Sequence, residues 1–160
     1  MLIRPYIAGE EEELRRVFLS SVHQCAIRYY RSDQIHAWAP DTYDFEDWYN
    51  RISMLNPFVA VIDGQIVGYA DVQGSGYIDH FYVAGPFSGK GVGTALMRRI
   101  HEAALSQNVS RLYADVSLSA EAFFVINGFT VENRKTVIVR GVELQNTRMS
   151  KILFAKPQLL

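Results

Sequence analysis

The segment Val83-Ala84-Gly85-Pro86-Phe87-Ser88-Gly89-Lys90-Gly91-Val92-Gly93-Thr94 constrains the fold of this chain more than any other. An apolar run, Ile78 to Val83, ends there, and glycines stand at 89, 91 and 93. Apolar residues at helical spacing (Val92, Leu96, Ile100, Ala103) follow at once. Alternating glycines clear the side chains that would keep a ligand off the backbone. The first amides of a helix have no acceptor within it and share the positive end of its dipole. A junction of strand, glycine loop and helix is therefore a seat for phosphate or pyrophosphate.

Two familiar phosphate loops do not fit. A P-loop separates its first glycine from Gly-Lys-Ser/Thr by four residues, whereas Gly85 and Gly89 bracket three and Gly91 stands where the hydroxyl belongs. A dinucleotide fingerprint requires Gly-x-Gly-x-x-Gly, but Gly89 and Gly91 lead to Thr94 at the third place. The chain before the loop also reads as hairpins and not as a βαβ unit.

Leu2 to Ile7 is expected to be a strand. Helices are expected over the acidic start Glu10 to Glu13 and on through Leu14, Val17, Phe18, Val22 and Ala26, over Ser32 to Trp38 with Ser32 as N-cap, and from Asp41 or Asp44 to Leu55. Strands follow at Phe58 to Ile62, Ile66 to Val72 and Tyr77 to Val83, the first two joined by the tight turn Asp63-Gly64. Beyond the loop come a helix to about Gln107, a strand from Arg111, a short helix from Ala120, and two strands joined at Arg140-Gly141. This order predicts an α/β domain on a largely antiparallel sheet.

The order Val83-x-x-Pro86-x-Ser88-x-x-Gly91-x-Gly93, followed by a helix, resembles the acetyl-CoA motif of the GNAT superfamily of N-acetyltransferases, commonly written Gln/Arg-x-x-Gly-x-Gly/Ala. Ser117-x-x-Ala120-x-x-Phe123-Phe124-x-x-x-Gly128-Phe129 is similar to the family's second motif, Asn-x-x-Ala-x-x-Phe/Leu-Tyr-x-x-x-Gly-Phe. Ile35 to Ala39, Tyr77-Ile78-Asp79 and the Arg140-Gly141 hairpin look like a bacterial YafP-like subgroup. The resemblance implies a single-domain acyl-CoA N-acyltransferase fold over residues 1–155, with a tail at 156–160. Its sheet would be mixed and mostly antiparallel, of about seven strands with splayed central strands, flanked by helices. It further implies direct transfer of an acetyl group from acetyl-CoA to a primary amine of a small molecule or peptide. Ser88, Ser117 and Phe124 depart from the pattern, and Phe124 stands where the family usually carries the tyrosine that protonates the departing thiolate.

On this resemblance the amides of Phe81, Tyr82 and Val83 run along the pantetheine arm, with Val83 facing the thioester oxygen and a bulge near Tyr82 freeing them. Ser88, Gly89, Lys90, Gly91, Val92, Gly93 and Thr94 take the pyrophosphate, and Ser117 and Phe124 line the arm. Asp79 and Asp115 are the candidate bases, directly or through water; the alternative is that each ties down a loop or pairs with Arg111 or a tyrosine. Strand alternation puts Tyr77, Asp79, Phe81 and Val83 on one face and His80 on the other, which suits a packed or a surface histidine. Tyr29, Tyr30, Trp38 and Tyr77 are candidate acceptor contacts.

A formal net charge of −1 argues against a broad basic face for nucleic acid. The start of the chain lacks a signal-like apolar run and no stretch is long enough to span a bilayer, so a cytoplasmic setting without a membrane partner is expected. Four scattered histidines show no metal-site spacing, and the single Cys25 is expected to be a small core residue. An uncovered apolar face is a candidate homodimer contact. A module of another class, binding acyl-CoA without turnover, remains as the alternative that the three departures motivate.

Overall fold

The computed structural model describes residues 1–154; residue 155 of the expected domain and the expected tail at 156–160 lie outside the described residues. Helix α1 (Glu11–Cys25) buries Leu14, Val17, Phe18 and Val22, the stripe seen in the sequence. Helix α2 runs Ser32–Trp38, but Ser32 is its first residue and not its cap, because Gln34 reaches back to the Arg31 amide at 2.8 Å. Helix α3 (Phe45–Leu55) is capped by Asp44, whose carboxylate accepts from the Asp47 amide at 2.9 Å.

Eight strands form among the described residues, against the expected seven or so. They are β1 (Leu2–Pro5), β2 (Phe58–Ile62), β3 (Gln65–Ala70), β4 (Tyr77–Ile78), β5 (Phe81–Val83), β6 (Arg111–Ser117), β7 (Thr130–Val139) and β8 (Val142–Ile152). The extra one arises because the run Tyr77 to Val83 breaks at Asp79-His80. Two four-stranded sheets result, ordered β1-β2-β3-β5 and β4-β6-β8-β7. Every pairing is antiparallel except β4 with β6, where Tyr77 faces Tyr113 and Ile78 faces Ala114.

Helix α4 (Val92–Ser106) packs on the first sheet with Val92, Leu96, Met97 and Ile100, each at most 1% exposed, in a core shared with Leu112, Ala114 and Met149 of the second. A fully buried Leu or Ile contributes about 2 kcal/mol, so this face alone anchors the helix that follows the glycine loop. Helix α5 (Glu121–Ile126) adds Phe124 to the same core, beside Phe129. A second core under α1, α2 and α3 gathers Phe18, Trp48, Ile52, Val59 and Tyr69. The two cores leave the chain between β4 and β5, and the start of α4, at the line where the sheets part.

Candidate active site

Strand β4 belongs to one sheet and β5 to the other, so the chain crosses between them at Asp79 and His80. From there β5 and β6 diverge without pairing, which opens the expected seam. On its other edge β5 pairs with β3, with Ala84 donating to the Val67 carbonyl at 2.9 Å and Asp71 to the His80 carbonyl at 3.1 Å. In an antiparallel ladder alternate residues bond to the same neighbour. Residues 80, 82 and 84 therefore turn their polar backbone to β3, and the N–H groups of Phe81 and Val83 face the seam. The amide of Tyr82 is committed to the ladder. The irregularity lies at Ile78 to His80 and not near Tyr82, because the Gln73 amide bonds the Tyr77 carbonyl at 2.8 Å. Ala70 faces Phe81, so three residue steps on the β3 side face four on the other, and one residue is left over.

The seam runs into a groove of about 400 Å³. Phe81, Tyr82, Val83, Ser88, Gly89, Gly91, Val92, Gly93, Thr94 and Ser117 line it, all expected at the cofactor. Gly91 caps α4 with φ 82°, a left-handed conformation that side chains with a Cβ rarely adopt. Gly93 lies against Phe123, whose ring would be 3.1 Å from an added Cβ. Lys90 stands outside the groove, exposed, with Nζ 5.4 Å from the centre of the Phe87 ring. Cys25, Ser119 and Phe123 also line the groove. Cys25 is half-buried there and not a core residue; its position was hidden because the end of α1 meets the loop only in the folded chain. Burial raises its thiol pKa, opposed by a hydrogen bond with Ser88.

Deeper along the seam, a recess of about 60 Å³ holds Asp79, Asp115, Trp38 and Phe124. Phe124 is 3% exposed and packs edge-on to Phe81 and Phe129. Asp79 Oδ2 is 2.6 Å from Arg51 Nη2. Burial raises the Asp79 pKa, Arg51 opposes this, and the charge of Asp115 adds to it. Asp115 differs. Burial pushes its pKa up, but Arg148 (2.8 and 3.1 Å) and Lys135 (2.8 Å) outweigh this and hold it below the ordinary value. The Tyr77 hydroxyl donates to Asp115 at 3.3 Å, and burial followed by the charges of Asp79 and Asp115 pushes Tyr77 up to about 12.

His80 turns away from Asp79 into the second core, between Phe18, Trp48, Tyr69 and Tyr82. Its Nδ1 is 3.0 Å from the Tyr69 hydroxyl, and burial, with Arg51 and Arg15, lowers its pKa to about 3. Among the candidate acceptor contacts, Trp38 lines both the groove and the recess. The Tyr30 hydroxyl is used within the fold, donating to the Gln145 carbonyl at 2.6 Å and accepting from the Leu118 amide at 3.0 Å. Tyr29 is 55% exposed in an outer hollow beside Arg28 and Arg31. Among the described residues no group of three His, Cys, Asp or Glu side chains comes together as a metal site, and no helix is long and apolar enough to cross a membrane.

Residues 26–153 match the acetyltransferase (GNAT) domain family. The chain is 31% identical over 147 residues to the uncharacterized N-acetyltransferase YafP of Escherichia coli (strain K12), covering 92% of this chain and 93% of that protein. It is similar in structure to a GCN5-related N-acetyltransferase from Rhodopseudomonas palustris, with a TM-score of 0.91, 31% identity and 95% of each chain covered. The PaiA N-acetyltransferase of Thermoplasma acidophilum, solved in complex with coenzyme A, shares the fold at 18% identity, with a TM-score of 0.75 over 94% of this chain and 98% of that one. With matched motifs, parted sheets and a glycine loop opening α4, the chain belongs to the GNAT family of acetyltransferases.

Proposed function

We propose that the protein transfers the acetyl group of acetyl-CoA directly to a primary amine carried by a small molecule or a peptide. The observation that carries this reading is the continuity of the seam. The Phe81 and Val83 amides face it, the glycine loop and the start of α4 stand at one end, and Asp79 stands at the other. The groove fits a long, thin ligand that ends in an anion. Acetyl-CoA supplies the activated thioester carbonyl.

The Ser88 to Thr94 backbone binds the pyrophosphate through amides at the helix start. Backbone donors aimed at an acyl oxygen stabilise the negative charge it gains when a nitrogen adds to its carbon. Val83 has that role here. Asp79, half-buried at the recess, accepts the proton the amine nitrogen must lose, directly or through one water. Asp115, bound by two cations, holds Tyr77 and the recess floor and is the weaker base. The thiolate that leaves when the carbon–sulfur bond breaks takes its proton from water, since Phe124 has none to give. In this reading the protein works in the cytoplasm.

A thiol-release assay with acetyl-CoA over a panel of small amines and peptides, run beside calorimetry with coenzyme A, tests the reading. Turnover of at least one amine is expected. Tight binding with no turnover on any acceptor would favour the acyl-CoA-binding module instead.

A further inference from the structure

Asp71, the residue after β3, is fully buried. Its Oδ1 accepts from the amides of Asp79 (3.1 Å) and His80 (2.6 Å), and its Oδ2 from Gln73 Nε2 (2.6 Å). Its own amide donates to the His80 carbonyl. A buried carboxylate is costly unless its hydrogen bonds are made, and a hairpin needs none in order to close. What needs one here is the surplus residue. Where three steps face four, the amides of Asp79 and His80 find no ladder acceptor, and the Asp71 carboxylate takes both.

We propose that Asp71 is a positioning residue of the acetyl-transfer site: its carboxylate stands in for a missing strand and fixes the crossover between the sheets. It touches no part of the groove itself. It acts through its neighbours, setting Asp79 at the recess and starting β5 in the phase that turns the Phe81 and Val83 amides into the seam. The proposal rests on the acetyl-transfer reading given above. The sequence offers little warning of it, since Asp71 there sits inside an expected strand, Ile66 to Val72.

The test compares Asp71→Leu, which removes the acceptor while keeping the branching and the number of heavy atoms, with Asp71→Asn, which keeps an Oδ1 for both amides. In the latter, Gln73 can turn its amide to present Oε1 to the new Nδ2. Steady-state kinetics, coenzyme A affinity by calorimetry and hydrogen exchange are measured on each. A misplacement of about 1 Å in a reacting constellation can cost about a hundredfold in rate. Asp71→Leu is therefore expected to lower kcat by more than about tenfold. Its coenzyme A affinity should fall by less than kcat, because the pyrophosphate loop is anchored by α4 and only the Phe81 and Val83 amides shift with the crossover. Asp71→Asn should recover most of kcat. Exchange at the Asp79 and His80 amides should quicken in the Leu variant only.

An unchanged kcat in Asp71→Leu overturns the proposal. So does a loss of coenzyme A affinity matching the loss of kcat, which marks general damage, and so does an Asn variant as impaired as the Leu variant. Should Asp71→Leu fail to fold, Gln73→Leu, which frees the carboxylate to swing, must lower kcat by more than it lowers coenzyme A affinity; an unchanged kcat sinks the idea. If the parent protein turns over no amine, the acetyl-transfer reading falls. The exchange of the two amides in Asp71→Asn and Gln73→Leu then decides the anchoring role by itself: amides that stay equally protected in Gln73→Leu count against it.

Discussion

Arg51 reaches from α3 to place Nη2 2.6 Å from Oδ2 of Asp79. Burial raises the Asp79 pKa and Arg51 pulls it back down. A base must be ionised to accept a proton, so activity is lost as pH falls through its pKa. Removing the cation with Arg51→Gln lets burial and Asp115 act unopposed, and the acid limb of kcat/KM should move to higher pH. Below that limb each unit of movement costs about tenfold in rate at a given pH. The pH profile of kcat/KM checks this; a limb that stays in place or moves down would show that Asp79 does not set it.

The two carboxylates should part company on mutation. A general base typically contributes about 10²- to 10⁴-fold, so Asp79→Asn is expected to lower kcat by about a hundredfold or more while coenzyme A affinity holds. Asp115→Asn leaves Arg148 and Lys135 facing each other without their shared anion. Its main effect should be on stability, about 1 kcal/mol after allowing for its partial exposure, with a smaller fall in kcat. Kinetics and urea titrations on both variants check this. A larger kcat loss in Asp115→Asn would reverse the assignment.

The glycines of the loop should differ in kind. At Gly91 the φ of 82° penalises any Cβ, by about 1–2 kcal/mol, and a distorted helix start withdraws the amides proposed to hold the pyrophosphate. Gly91→Val is expected to weaken coenzyme A binding by tenfold or more, read by calorimetry. Gly93 has an ordinary backbone, and its constraint is the Phe123 ring, which an added Cβ would approach to 3.1 Å. Gly93→Ala should be tolerated with a small loss of affinity. Gly93→Val, with two more carbons directed at the ring, should bind as poorly as Gly91→Val.

Much of this architecture was legible in the chain. Apolar spacing gave α1 and α4, the Asp63-Gly64 and Arg140-Gly141 turns have both residues at positive φ, and the loop glycines line a groove. The break inside Tyr77 to Val83 was not legible. Alternation in that run is continuous, and the buried carboxylate at its break comes from Asp71, the residue that follows β3. Cys25 and Phe123 escaped for a related reason: their place on the groove depends on where the end of α1 and the face of α5 meet the loop. Ion pairs were hidden most of all. The sequence offers Arg111 or a tyrosine as a partner for Asp115; Tyr77 does reach it, but Arg111 pairs with Glu132 while Arg148 and Lys135 hold Asp115. Cross-strand register decides this, and alternation within one strand does not report it.

Asp71 and His80 should imprint opposite slopes on stability against pH. Burial, opposed by the hydrogen bonds from His80 and Gln73 and reinforced by the Asp79 charge, raises Asp71 to about 6. A carboxyl whose pKa is higher folded than unfolded favours the folded state most at low pH. That contribution is lost as pH rises from about 4 to about 6 and is flat above, a change of about 3 kcal/mol. His80 lies at about 3 when folded, below its unfolded value of about 6.5. Its contribution is complete above that value and fades as pH falls below it. Differences between the parent and single variants separate the two. The stability of the parent minus that of Asp71→Asn, from urea titrations between pH 4 and 7, should fall through the window from 4 to 6 and then level. The parent minus His80→Phe should rise over the same interval. A flat difference for Asp71→Asn would mean that the carboxyl keeps an ordinary pKa in the folded protein, and that the crossover is held by a group that stays ionised throughout.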